Sequence, residues 1–540
     1  SKGQVAAGLT PPLGVAYLAS FLIGNDYPVQ IIDALGEDPH EINSFEKGSF
    51  LRGLKVSEII RRIDSDTNLV GISNLFSFAY PAVEVLCQEI RKAYPEKKIV
   101  LGGPHPSALY DEILKNVPEV DFVAIGEGEE SLLGLVNYLD GKLELNELSG
   151  LATRDKSGNI IVLNSSKRIK NLNQDNIPFP ARHLLPMENY IQAQEGHGPS
   201  SGRWTSILSS RGCPYGCTFC ESRRTVWIAR TPMDVVDEME YCLKEWGINE
   251  FHFEDDNMTI NKERLIGICD EILDRDLNIK WQTPNGIRAS VTDSEMLTKM
   301  RESGCLHVTL APETGSERVL KEIIEKGKDF DLAQLKDCGA LAHNLGLKVA
   351  AYFIIGLPGE TRSEVQETIN YAKELAKCGI DEVAFGLFIP LPGTPLWKVA
   401  KKKNQEMDFL DLLAVGDMNK AVSWNDYMDA EELNSLRLKA YIGFHLTRMI
   451  YHPLLFMKSF FNVMRNIEET KTERTLLQFI KHFGIKKKST KKTDIGLASY
   501  PYDSSSTVKT ILQSKPHYAY GHSLLKTLRF WKKETFNSKN

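Results

Sequence analysis

The chain has 540 residues, with 65 Lys plus Arg against 71 Asp plus Glu and a formal charge of −6. Its 42% apolar and 25% charged residues exclude a disordered, collagenous or membrane-spanning protein, and no run approaches the ~18 apolar residues of a spanning helix. Nine cysteines are too sparse for a secreted disulfide scaffold. With no basic segment leading into an apolar core at the start, they point to a reducing, cytoplasmic setting. The charge is unevenly spread: Tyr441 to Asn540 carries +12 and the first 440 residues −18.

Residues 1–145 alternate short apolar runs with amphipathic stretches, as a parallel α/β domain does. Helices are expected over 14–23, 56–63 and 82–93, and strands over 28–34, 69–74, 97–103 and 120–126. The first strand of such a domain is missing, which reads as a truncated start rather than a different fold. Residues 146–203 read as a connector, with a hairpin over 150–163 and a Pro-rich extended linker over 176–186. From 204 to 400 the alternation resumes. Six βα units in about 190 residues are too few to close an eight-stranded barrel, so a partial barrel or an open parallel sheet is expected. Residues 401–540 lose the strand pattern and read as helices followed by a Lys- and Ser-rich tail.

The sharpest feature is SILSSRGCPYGCTFC, which puts Cys213, Cys217 and Cys220 on one loop after a strand. Three thiolates at that spacing can wrap one face of an iron–sulfur cubane, whose full structural ligand set would be four. A zinc site would likewise need a fourth Cys or His at matching spacing. Cys87, Cys242, Cys269, Cys305, Cys338 and Cys378 are solitary and read as small buried hydrophobes. Three ligands leave one iron open to a substrate.

A CxxxCxxC loop after the first strand of a six-unit α/β region resembles that of the radical S-adenosylmethionine enzymes. The resemblance runs on in order through FEDDNMT, WQTPNGIRAS, LAPETGSERVL, YFIIGLPGET and PLPGTPLW. It implies a [4Fe–4S] cluster on Cys213, Cys217 and Cys220. It also implies S-adenosylmethionine on the open iron, with Asp255, Asp256, Arg288 and Glu313 contacting its amino acid or ribose. Helix capping is the competing role for Asp256.

Upstream, LGGPHPS places Gly102, Gly103 and His105 after one strand, and AIGEGEES places Gly126, Glu127 and Gly128 after the next. Small residues at the strand ends of an open parallel sheet let a large planar ligand approach. Neither string is a dinucleotide fingerprint. Together with TPPLGVAYLA they resemble the cobalamin-binding domain found ahead of many radical S-adenosylmethionine cores. That resemblance makes Gly102, Gly103, His105, Gly126 and Glu127 corrin contacts. His40 lies in a DPHEIN string without the DxHxxG glycine, so no histidine is expected beneath cobalt.

The expected fold is thus α/β: a Rossmann-like cobalamin-binding domain (1–145), the connector, a partial (β/α)6 barrel (204–400) and a helical C-terminal region. The resemblance implies a cobalamin-dependent enzyme that methylates an unactivated carbon of a small-molecule or lipid-like substrate, fed by an external one-electron reductant such as flavodoxin or ferredoxin. Two alternatives stand beside it: oxidative cyclisation or rearrangement of the anaerobic magnesium-protoporphyrin ester cyclase type, and a non-catalytic cluster–corrinoid module. The stretch AYIGFHLTRMIYHPLLFMKSFFNVMRN reads first as a helix packed on the barrel, and second as a lid or peripheral membrane contact. KHFGIKKKSTKK reads as a solvated basic run, without a nucleic-acid fold signature.

Overall fold

The computed structural model describes residues 8–165, 169–174, 176–403, 408–415, 422–474 and 477. The basic run at 481–492 lies outside them.

Two sheets carry the architecture. The first is five-stranded, in sequential order: β1 (Leu69–Ser73), β2 (Lys98–Gly102), β3 (Phe122–Ala124), β4 (Leu151–Arg154) and β5 (Ile160–Leu163). β1, β2 and β3 run parallel, with crossover helices Tyr80–Ala93 and Pro104–Asn116 between them. β4 and β5 are antiparallel. They are the hairpin expected in the connector, and they extend the first sheet through Leu163. The physical reason is edge satisfaction: the outer edge of β3 would otherwise be unpaired, and Leu151–Arg154 covers it.

The segment expected as a strand over 28–34 has no ladder. It is irregular up to Asp33, which caps the short helix Ala34–Glu37, and Ile31 and Ile32 pack on the two main cores. Among the described residues no strand precedes helix Leu13–Gly24 to pair with it.

The second sheet has six parallel strands in sequential order: β6 (Trp204–Ile207), β7 (Glu250–Phe253), β8 (Lys280–Ile287), β9 (Cys305–Glu313), β10 (Lys348–Ile355) and β11 (Glu382–Leu387). This is the partial barrel. Between its strands the helices follow local rules. Helix Pro232–Trp246 starts on Thr231, whose hydroxyl accepts the Asp234 N–H, and ends at left-handed Gly247. Alternate strand residues, such as Phe251, Phe253, Trp281, Val308 and Leu310, fill the core under the helices. The intervening ones make a polar lumen, where His252 stacks on Trp204 and His307 meets Glu382 at 3.2 Å.

Of the six solitary cysteines, five are buried and Cys378 is half-buried at a helix end. Burial pushes the thiols of Cys87, Cys242, Cys269 and Cys338 up to about 12, as inert packing residues require. No helix among the described residues is long and apolar enough to cross a membrane.

Candidate active site

The C-terminal end of the barrel gathers the expected charged residues around the cysteine loop. β6 ends at Ile207, and the chain enters a short antiparallel pair, Ser210–Arg211 with Ile228–Ala229, that closes the loop at its base. Gly212 sits at φ +86°, and a Cβ there would meet Val226 O at 2.3 Å; only glycine makes this entry. Inside, the Cys213 N–H donates to Thr225 Oγ1 (2.8 Å), Thr225 N–H to Cys213 O (2.9 Å) and Arg224 N–H to Tyr215 O (2.7 Å). Thr218 N–H donates to Ile324 O at 2.9 Å, which ties the loop to the segment after β9.

Both aspartates after β7 brace this loop. Asp255 is buried; it accepts from Ser209 N–H (2.8 Å) and Ser209 Oγ (2.6 Å), with Ser210 Oγ as a third donor. Asp256 accepts from Gly212 N–H (3.0 Å) at the start of the loop and from Ser222 Oγ (2.6 Å) at its end. It caps no helix; the next helix, Lys262–Asp274, is capped by Asn261.

Arg288, just past β8, lays its guanidinium 3.5 Å from the Tyr215 ring centroid, a close cation–π contact. It also holds the Asp329 carboxylate at 2.9 and 3.0 Å. Burial pushes that carboxyl up, but the Arg288 hydrogen bonds outweigh it and the net shift is downward. Glu313 closes β9 with φ +66°, beyond a register shift in the ladder. A non-glycine residue held there marks a constrained site, and its carboxylate meets Lys326 Nζ at 2.6 Å.

The three cysteines are half-buried and free. Burial pushes all three thiols up, Cys220 to about 12, while Arg288 and Lys326 pull Cys213 and Cys217 back toward the thiolate. The thiols feel one another's charge, yet no three described Cys, His, Asp or Glu side chains converge as a single metal ion would demand. A cubane takes each thiolate at a different corner, so convergence is not required of its ligands. Lys326, Asp329 and Tyr215 join the site only through the fold, by their contacts with Glu313 and Arg288.

The other predicted residues lie at the strand ends of the first sheet. Asn74 N–H donates to Gly102 O (2.8 Å), and Gly103 holds φ +109° with its missing Cβ 2.5 Å from Asn74 O. Ser107 Oγ accepts from Gly126 N–H at 3.1 Å, and Gly126 is exposed at φ +84°. The result is a shelf of backbone, rimmed by exposed Leu75 and Phe76. His105 does not line this shelf openly. It is fully buried between Tyr80 and Phe409, with Nδ1 2.9 Å from Ser77 Oγ and Nε2 unpartnered. Burial lowers its pKa to about 4. Glu127 Oε2 accepts from Ile169 N–H at 3.3 Å. His40 is exposed in a turn.

Shelf and loop are joined. Glu129 follows Gly128 directly, Arg211 stands two residues ahead of Cys213, and the two pair at 2.7 Å in a buried setting.

Comparison with known proteins agrees with this division. The B12 binding domain model matches residues 3–136 and the Radical SAM superfamily model residues 207–372. An uncharacterized methyltransferase of Pyrococcus horikoshii is 33% identical over 470 residues, 86% of this chain and 94% of that one. The cytidylyl-2-hydroxyethylphosphonate methyltransferase of Streptomyces wedmorensis is 31% identical, covering 72% and 77%. The anaerobic magnesium-protoporphyrin IX monomethyl ester cyclase of Rubrivivax gelatinosus is 29% identical, covering 83% and 76%. Among solved structures, the fold matches OxsB with aqua-cobalamin and S-adenosylmethionine bound (TM-score 0.62, 18% identity, 88% of this chain and 73% of that one). It also matches TsrM of Kitasatospora setae with cobalamin and [4Fe–4S] cluster bound (TM-score 0.58, 17% identity, 73% and 72%). The chain belongs to the cobalamin-dependent radical S-adenosylmethionine enzymes, a family with methyltransferases among its members, whose cofactors are a [4Fe–4S] cluster, S-adenosylmethionine and cobalamin.

Proposed function

We propose that this enzyme transfers a methyl group to an unactivated carbon of a small-molecule or lipid-like substrate. The observation that carries this reading is the Arg211–Glu129 pair, which holds the strand-end shelf beside the cysteine loop. Methyl transfer between two cofactor sites needs them adjacent, and two relatives spanning most of the chain are methyltransferases.

The residues fit the family's cofactors. Cys213, Cys217 and Cys220 would ligate the cluster, on a loop already posed by Asp255, Asp256 and Thr225. Arg288 and Glu313 stand at neighbouring strand ends, where the amino-acid end or ribose of S-adenosylmethionine would lie; Asp255 and Asp256 serve that end through the loop. Gly102, Gly103, Gly126 and Glu127 would face the corrin, with His105 supporting the shelf from beneath. When bound, the cluster supplies the electron that cleaves the sulfonium, and cobalamin carries the methyl group. The chain's own task is to orient both and to exclude water. An external flavodoxin or ferredoxin would feed the cluster in the cytoplasm, and the C-terminal helices would make peripheral contact with a membrane surface. Radical cyclisation is the second reading, favoured by the 29% identity to the Rubrivivax cyclase over 83% of the chain.

The test is anaerobic reconstitution with iron, sulfide and cobalamin, followed by deuteromethyl S-adenosylmethionine, reductant and a panel of small-molecule and lipid acceptors. Deuteromethyl appearing in product selects methylation. 5′-Deoxyadenosine with an unmethylated, cyclised product selects the second reading. Cys217→Ala should abolish the visible cluster absorbance; an unchanged spectrum would contradict the ligand assignment.

A further inference from the structure

Two helices end the described chain, Ala430–Tyr451 and Pro453–Met464. The first starts on Asp429, which caps Glu432 N–H at 2.8 Å, and one face of it is built into the barrel. Leu436, Ala440 and Phe444 are buried, Tyr441 Oη accepts the Phe385 N–H of β11 at 3.0 Å, and Arg448 pairs with buried Asp381 at 3.1 Å. This accounts for the packed reading of the sequence, but only for half the helix. On the opposite face Leu438, Ile442, Leu446 and Ile450 recur four apart, each at least 50% exposed. That spacing lines them up on one side. The second helix continues the stripe and buries only Asn462; Leu454 is 83% exposed, Phe460 54% and Met464 60%.

Scattered apolar residues on a surface need no explanation, whereas a contiguous stripe does. Its charge surroundings narrow the occupant. Between Leu433 and Ile467 there is no Asp or Glu and there are five Lys or Arg, of which Arg437 and Arg448 are buried and Lys458 pairs with Glu469 at 2.8 Å. Lys439 and Arg465 are exposed on the same helical pair. By sequence alone, the 63 residues after Leu477 hold 13 Lys or Arg against 3 Asp or Glu, although the chain as a whole is acidic. Helices that combine a bulky Leu, Phe and Met face with basic flanks suit the headgroup boundary of a bilayer, and anionic lipid attracts the basic residues. A protein partner would have to supply apolar and acidic surface together; an anionic bilayer supplies both by its construction.

We propose that this face docks the enzyme on an anionic membrane surface, with Leu454 and Phe460 inserted among the headgroups. The inference rests on the membrane contact in the reading above and adds to it the face, the anchoring residues and the lipid charge.

The test is sedimentation of the full-length, cluster-loaded enzyme with vesicles of phosphatidylcholine alone or mixed with phosphatidylglycerol, at low and high salt. Stronger retention on the anionic vesicles, weakened by salt, is expected. Leu454→Glu with Phe460→Glu should lower the partition coefficient by at least about tenfold, with cluster absorbance and melting temperature unchanged because both side chains face solvent. Ile450→Glu with Met464→Glu should do the same by a separate route. Equal retention on both lipid compositions, failure to bind either, or full binding by both variant pairs would overturn the proposal; the last would place any attachment in the basic tail. A dimer in sedimentation velocity that these substitutions dissociate, without vesicle binding, would make the face a self-association surface instead. No methyl acceptor is present, so a negative result leaves the methyl-transfer reading intact.

Discussion

The cysteine loop and the strand-end shelf stand side by side, yet they are built by opposite means. Side chains pose the loop: Asp255, Asp256 and Thr225 each fix a backbone or hydroxyl donor of the segment around Cys213. The shelf is posed by backbone, with Gly103 and Gly126 at positive φ and Asn74 N–H on Gly102 O. On the proposed roles the difference is physical. A cluster bound through three covalent ligands needs three points of one loop held in register, and hydrogen bonds from neighbouring strands do that. A corrin held by contact over a wide plane needs side chains kept away, and glycine does that.

If this contrast is right, the largest effect comes from adding one carbon to the shelf. Gly103→Ala puts a methyl 2.5 Å from Asn74 O at φ +109°, and overpacking plus backbone strain should cost about 3 kcal/mol. Gly141→Ala is the control, since its φ is +70° but nothing lies within 4 Å. It should cost about 1 kcal/mol, from the backbone alone. Urea midpoints measure both, and a cobalamin absorbance titration should weaken only for Gly103→Ala. Equal losses would show that close approach at the shelf is immaterial.

This shelf was only partly legible in the sequence. Its glycines were, because GG and GEG after apolar runs announce strand ends. The burial of His105 was not, because Phe409, which covers it, arrives from 304 residues downstream. The same holds at the barrel. Its six strands showed through their apolar runs, and Cys213, Cys217 and Cys220 through their spacing. Lys326, Asp329 and Tyr215 carry no periodic signal and meet Glu313 and Arg288 only once β8 and β9 lie side by side. The C-terminal helix misled by offering two apolar faces, of which packing could use one. Residues 28–34 have a strand's apolar run but no partner, and a ladder needs both.

His105 gives the comparison a pH dependence. Burial lowers its pKa from about 6.5 to about 4. As pH falls through 6.5 the unfolded chain takes up a proton that the folded shelf refuses, so stability is complete above that value and drains away down to about 4. The loss is at most about 3 kcal/mol. His105→Gln keeps a polar group beside Ser77 and does not titrate, so it should flatten this part of the pH profile of urea unfolding. A variant as acid-sensitive as its parent would place the acid response elsewhere.

The smallest effect is expected where the loop is braced at its rim. Asp256 is exposed and reaches Gly212 N–H at one end of the loop and Ser222 Oγ at the other. Asp256→Asn keeps an acceptor oxygen for one end but loses the charge that serves both, so the two ends of the loop are no longer held by one carboxylate. Groups of this kind, one shell out from a metal ligand, commonly shift metal affinity about tenfold. Iron retained against a chelator should fall by about that factor. Cobalamin affinity should stay as it was, because Asp256 touches nothing on the shelf and the Arg211–Glu129 pair between the sites remains. A parallel fall in cobalamin binding would mean that loop and shelf share one cooperative structure, and that Arg211–Glu129 transmits between them rather than only joining them.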